Sequence, residues 1–115
     1  MSEYGPALFI KRKDEKEILQ KEQDMLLKLV TEISKKLEIK DEDDAIVSPE
    51  FYDYDGYEEK SVAFLMFSSV AWGMMPEDIQ KDQSEVDEKE MLKIGKEIDK
   101  KIPNTYSYKC YYVEN

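Results

Sequence analysis

Carboxylates and tyrosines are the reactive groups this chain of 115 residues holds in number: 27 Asp and Glu and eight Tyr, against one Cys and no His. Without His, neither a Ser-His-Asp or Cys-His nucleophile nor a His-based zinc site can be built. The single Cys110 leaves no internal disulfide and fits a reducing compartment. Clustered carboxylates raise the question of a hard cation, which needs several oxygens around one point. The spacing does not supply them. Asp53 and Asp55 run directly into Gly56, where a calcium loop needs further ligands first, and Asp41-Glu42-Asp43-Asp44 runs into Ala45 and Ile46 with neither the Gly nor the later Glu. Acid-base catalysis needs a pocket that raises one carboxyl pKa, and these acids lie in polar, turn-rich segments. The four Gly match no phosphate-binding spacing. The expectation is a non-enzymatic protein with no catalytic residues, no metal and no cofactor.

The acids are concentrated in one part of the chain. Residues 1–40 carry nine Lys/Arg and eight Asp/Glu, residues 41–90 carry three and 16, and residues 91–115 carry five and three, within a net charge of -10. Such a middle repels nucleic acid phosphates and anionic lipid and attracts a cationic surface over long range. Tyr52, Tyr54 and Tyr57 stand among these acids, and Tyr supplies large contact area with a polar tip, suited to ion pairs at a rim and cation-π contacts within. The partner-binding residues expected from this pattern are Asp41, Glu42, Asp43, Asp44, Asp53, Tyr54, Asp55, Tyr57, Glu58, Glu59 and Trp72.

The elements that must position them follow from hydrophobic period. Pro6 to Ile10 is a short apolar run before Lys11-Arg12-Lys13 and reads as a mostly buried strand that leaves the core at its C-terminal end. From Asp14 the spacing of Leu19, Leu26, Val30, Ile33 and Leu37 predicts a helix, widened by Ile18, Met25 and Leu29, with Asp14 and Glu15 at its positive end and Lys35 and Lys36 near its negative end. Ile46 to Tyr54 predicts a strand whose Pro49 suits a sheet edge. Tyr54-Asp55-Gly56-Tyr57 predicts a tight hairpin turn into a strand from Ser61 to about Val70, apolar on both alternating sets and so central. Trp72 to Pro76 reads as a loop. Ser84 and Asp87 suggest a helix start, Met91, Ile94, Ile98 and Ile102 form its stripe, and Pro103 ends it. Tyr106 to Val113 predicts a final strand.

This order, βαββαβ, is that of an α+β ferredoxin-like sandwich: a four-stranded antiparallel sheet, strands one and three central, with two helices on one face, in a single domain spanning 1–115. No run is long enough for a membrane span, since the longest uncharged one, Ser61 to Pro76, contains Gly73 and Pro76. A cytoplasmic protein is expected.

Within this frame Lys60-Ser61-Val62-Ala63-Phe64-Leu65-Met66-Phe67 resembles the third-strand motif of the RNA-recognition module, and Leu8-Phe9-Ile10 resembles its first-strand motif. The resemblance implies that Phe9 and Phe64 share an open face and stack on bases while Ala63, Leu65 and Phe67 pack beneath the helices. Ser61 stands where that motif has Gly, Val62 where it has an aromatic stacker, and the acidic middle opposes RNA.

The composite reading is an acidic protein-binding module for a cationic protein surface, in its plainest form an inhibitor or immunity-type protein that blocks a basic toxin or nuclease. Neither nucleic acid nor membrane is among the expected partners. The alternative is a small-ligand-binding or regulatory sensor domain that pairs as a homodimer through the second face of its sheet. An accessory subunit using Ile10, Val62, Met66 and the strand edges as a permanent interface is the remaining reading.

Overall fold

The apolar run at 6–10 is the middle of a longer strand, β1 (Tyr4–Arg12), in the computed structural model, which describes residues 4–40, 44–52, 60–66 and 81–114. Along the described chain follow α1 (Gln20–Lys36), β2 (Glu50–Phe51), β3 (Val62–Leu65), α2 (Lys81–Lys101) and β4 (Tyr106–Glu114). The strands form one sheet in the order β2-β3-β1-β4, every neighbouring pair antiparallel. The two strands with apolar residues on both faces are the central ones, because only a strand covered on both sides buries both alternating sets.

Strand alternation divides the sheet residues between two faces. Leu8, Ile10, Val62, Phe64 and Tyr106 meet Leu26, Val30 and Ile33 of α1 and Met91, Ile94 and Ile98 of α2 in one cluster, so both helices cover the same face. Full burial of such side chains stabilises the fold by about 1.5–3 kcal/mol each. The arrangement is the ferredoxin-like α+β sandwich expected from the element order. The opposite face carries Ala7, Phe9, Ala63, Leu65 and Val113, also buried. Tyr52 and Tyr111 pack against this second cluster. Ile10, Val62 and Met66 lie in the core, exposed by 0, 6 and 0%, which leaves the strand edges as the part of the accessory-subunit interface that a partner could reach.

Several element boundaries differ from those expected. β1 leaves the core after Ile10 as expected, Lys11 and Arg12 being half-buried, but it continues as a strand, with these two opposite Ser107 and Tyr106 of β4. α1 begins at Gln20 rather than Asp14. Residues 12–15 form a turn, with the Glu15 amide donating to the Arg12 carbonyl at 3.2 Å and Glu15 at φ 63°. The Asp14 carboxylate accepts the Lys16 amide at 3.0 Å, the local competition by which Asp keeps a backbone out of a helix. Leu19, expected on the buried stripe, is the extended N-cap and is 66% exposed. β2 is shorter than Ile46 to Tyr54, since Ile46 instead bridges to Lys40 and Pro49 precedes the paired residues. α2 starts at Lys81, so Ser84 and Asp87 lie inside the helix rather than at its cap. The Asp55-Gly56 turn, residues 67–70 of the expected third strand and the 72–76 loop lie outside the described residues.

The RNA-recognition resemblance also fails in its geometry. Phe9 stands opposite Ala63, and Phe64 opposite Leu8, so the two Phe face opposite sides of the sheet. Phe64 is buried under the helices, whereas Ala63 and Leu65 lie on the far face. The two rings cannot form one stacking platform. Among the described residues no helix is long and apolar enough to cross a membrane.

Candidate functional site

Of the partner-binding residues expected from sequence, Asp44 is described, while Asp41, Glu42, Asp43, Asp53, Tyr54, Asp55, Tyr57, Glu58, Glu59 and Trp72 lie outside the described residues. Asp44 adopts φ 65° and stands 3.5 Å from the Lys40 ammonium, its side chain 85% exposed. The described residues on either side of the two acidic segments fall at opposite ends of α1. Lys40 and Asp44 follow its C-terminal end. Tyr52 and Ser61, which lie to either side of 53–59, share a depression with Gln20 and Gln23 from its first turn.

That depression, about 360 Å³, is floored by the β2-β3 pair. Phe51 packs on Phe64 with ring centroids 5.3 Å apart and remains 39% exposed, as befits the outermost strand of the sheet. The Tyr52 amide donates to the Ala63 carbonyl at 2.9 Å, carrying the pairing one bond past β2. Gln23 turns its amide nitrogen to the Ile18 carbonyl at 2.8 Å. An exposed aromatic ring, Tyr52 and side-chain amides thus stand where the chain enters and leaves its acidic 53–59 segment. Phe51 and Gln23 were missed from sequence because they come from separate elements and meet only at this depression. The strand assignment that put Phe51 beside the hairpin was the available signal.

A second cluster joins the other side of the fold. Arg12 donates from Nε and Nη2 to the two oxygens of Asp14, at 3.0 and 2.9 Å, and from Nη1 to Oε2 of Glu22 at 2.7 Å. Tyr106 donates its hydroxyl to the same Glu22 oxygen, and the Arg12 guanidinium stands 6.0 Å from the Tyr106 ring centroid. One network therefore ties the end of β1, the first turn of α1 and the start of β4. Its charges shift as the geometry demands. Hydrogen bonds from Arg12 and the Lys16 amide hold the Asp14 carboxyl down to about 2, and the two carboxylates hold the Arg12 proton more firmly. Burial, with the Glu22 carboxylate as acceptor, pushes the Tyr106 hydroxyl up to about 12. Beside this network opens a groove of about 650 Å³ walled by Leu19, Met25 and Ile102.

Among the described residues no group of three or more His, Cys, Asp or Glu is placed to hold a metal ion. The Asp14 and Glu22 carboxylates are engaged by the Arg12 guanidinium, and Glu97 accepts from Lys36 and Lys100, both at 3.0 Å, which lowers its pKa. These acids act as ion-pair partners between elements. No family model, curated protein or solved structure matches the chain.

Proposed function

We propose that this chain is a non-enzymatic protein-binding module whose β2 edge receives a cationic protein surface, with inhibition of a basic toxin or nuclease as its plainest form. The observation that carries the reading is the place of the exposed Phe51 ring. It lies on the outermost strand, beside a depression shared with Tyr52, Gln20 and Gln23, and within the stretch of chain that holds 16 of the 27 acids. Hot spots of protein interfaces are aromatic or Arg groups seated in such recesses and ringed by polar residues. An Arg or Lys from the partner would meet the exposed face of the Phe51 ring by cation-π attraction, with Tyr52 turned to the other face of the sheet, while the neighbouring carboxylates hasten encounter.

The test is capture by the tagged chain from lysate of its own source at about 50 mM and about 300 mM salt, where screening of exposed charges differs strongly. A single basic protein should be retained in stoichiometric amount at low salt and weakened at high salt. The Asp55→Lys, Glu58→Lys, Glu59→Lys triple variant, shown folded by circular dichroism, should release it. Absence of a stoichiometric protein at both salts, or retention unaffected by the charge reversal, would overturn the reading.

A further inference from the structure

The groove between the start of α1 and the end of α2 has no part in recognition at the β2 edge. Its walls are Leu19, Met25 and Ile102, with Arg12, Lys21 and Glu22 among the polar groups of its lining. The groove is shallow and open, about 650 Å³ in volume, and its lining is mostly apolar with a few placed polar groups, the composition usual for small-molecule sites. Leu19 and Met25 are 66% and 40% exposed, so two large apolar side chains border one recess and remain open to water. Single exposed apolar residues are ordinary, but their convergence on one recess with half-buried Ile102 makes a contiguous apolar surface.

The polar groups define what the head of an occupant must be. Glu22 Oε2 already accepts from Arg12 and Tyr106, and the Thr105 hydroxyl donates to the Pro103 carbonyl at 3.0 Å. Arg12 uses three of its five N–H groups on Asp14 and Glu22. Among the described residues Lys21 makes no ion pair or side-chain hydrogen bond. Two guanidinium N–H groups and the three of the Lys21 ammonium thus stand against one remaining carboxylate oxygen, Oε1 of Glu22. A recess rich in donors and poor in acceptors suits a head group that only accepts.

We propose that this groove binds a small amphipathic carboxylate, its aliphatic body on Leu19, Met25 and Ile102 and its head on Lys21 and the outer N–H groups of Arg12. The site takes a free ligand rather than a second copy of the chain or an apolar cation.

The experiment is a titration of the full chain with decanoate, kept below its micelle concentration and followed by methyl and amide NMR. Decyltrimethylammonium serves as the matched cation. Decanoate should shift the Leu19, Met25 and Ile102 methyls saturably, and the ammonium should bind at least about tenfold more weakly, a difference of about 1.4 kcal/mol. Lys21→Glu should weaken decanoate by about tenfold without weakening the ammonium. The Leu19→Gln, Met25→Gln double variant, altered only at exposed positions, should lose both. Three outcomes overturn the proposal: no movement of the groove methyls, equal binding of the two amphiphiles, or methyl shifts that follow protein concentration alone together with a sedimenting dimer.

Discussion

The Tyr108 ring lies so close to the backbone of Gly95 that a Cβ at position 95 would stand 2.6 Å from its Cδ2 and 2.7 Å from its Cγ. The same Tyr donates its hydroxyl to Asp99, one turn along α2, at 3.0 Å, so the ring is held at its tip as well as at its root. Its hydroxyl pKa is raised by burial and by that carboxylate. α2 thereby sits directly on β4, and the glycine is what allows the approach.

Gly95→Ala sets two effects against each other. Removing a helix glycine favours the fold by up to about 1 kcal/mol, while forcing a methyl into a filled space costs about 1–3 kcal/mol. The colliding atoms are at the base of the ring, which cannot swing away without breaking the bond to Asp99. Urea denaturation should show net destabilisation. An alanine variant as stable as the parent would show that the ring moves freely.

Phe64→Ala should cost about 3–5 kcal/mol, since it empties the centre of the core under both helices. Phe51→Ala, at an exposed edge position, should cost less than about 1.5 kcal/mol, mainly the loss of one aromatic pair. Paired denaturation curves check this difference. A base-stacking role for Phe64 would instead leave stability nearly unchanged on its removal.

Acid should loosen the junction of β1, α1 and β4. The Asp14 pKa falls from 3.8 to about 2 in the folded chain, so the stability it contributes is complete above pH 3.8 and disappears as pH falls through about 2. Glu97, lowered from 4.5 by Lys36 and Lys100, acts in the same direction. Urea midpoints measured from pH 6 down to pH 2 should decline through this range, and Arg12→Gln should flatten the Asp14 part of the decline. A carboxyl carbon titration of Asp14 with its midpoint near the ordinary 3.8 would disprove the assignment.

Alkali acts with the opposite sign. Tyr106 is raised from 10.0 to about 12, so its contribution is complete below pH 10 and is lost as pH rises to about 12, where the folded chain must ionise it too. Ring-carbon NMR of the tyrosines should show Tyr106 titrating well after exposed tyrosine. Tyr106→Phe should remove that late titration and reduce the fall in stability between pH 10 and 12.

Much of the fold was legible because it rests on local period. Val62 to Met66 is apolar on both alternating sets, which demanded a central strand, and Pro49 pointed to an edge. The stripe of Leu26, Leu29, Val30 and Ile33 demanded a helix against the sheet, and all four are buried. The acidic segments were legible as charge alone. Their separation was not, because it depends on α1 standing between Asp44 and the residues beside 53–59.

The sequence by itself determined the element types, their order and the sheet order that follows from right-handed connections, since apolar spacing is a property of neighbouring residues. Tertiary structure alone decided which way Phe9 and Phe64 face and which groups border the groove. Phe9 and Phe64 are parted by strand register, where a shift of one residue exchanges the two faces. Tyr106 reaches Glu22 across 84 residues, and Leu19 meets Ile102 at a groove of which neither shows any trace in its own segment. Such meetings are set by how helices lie on the sheet, and a periodic pattern records which face is buried without recording what that face will touch.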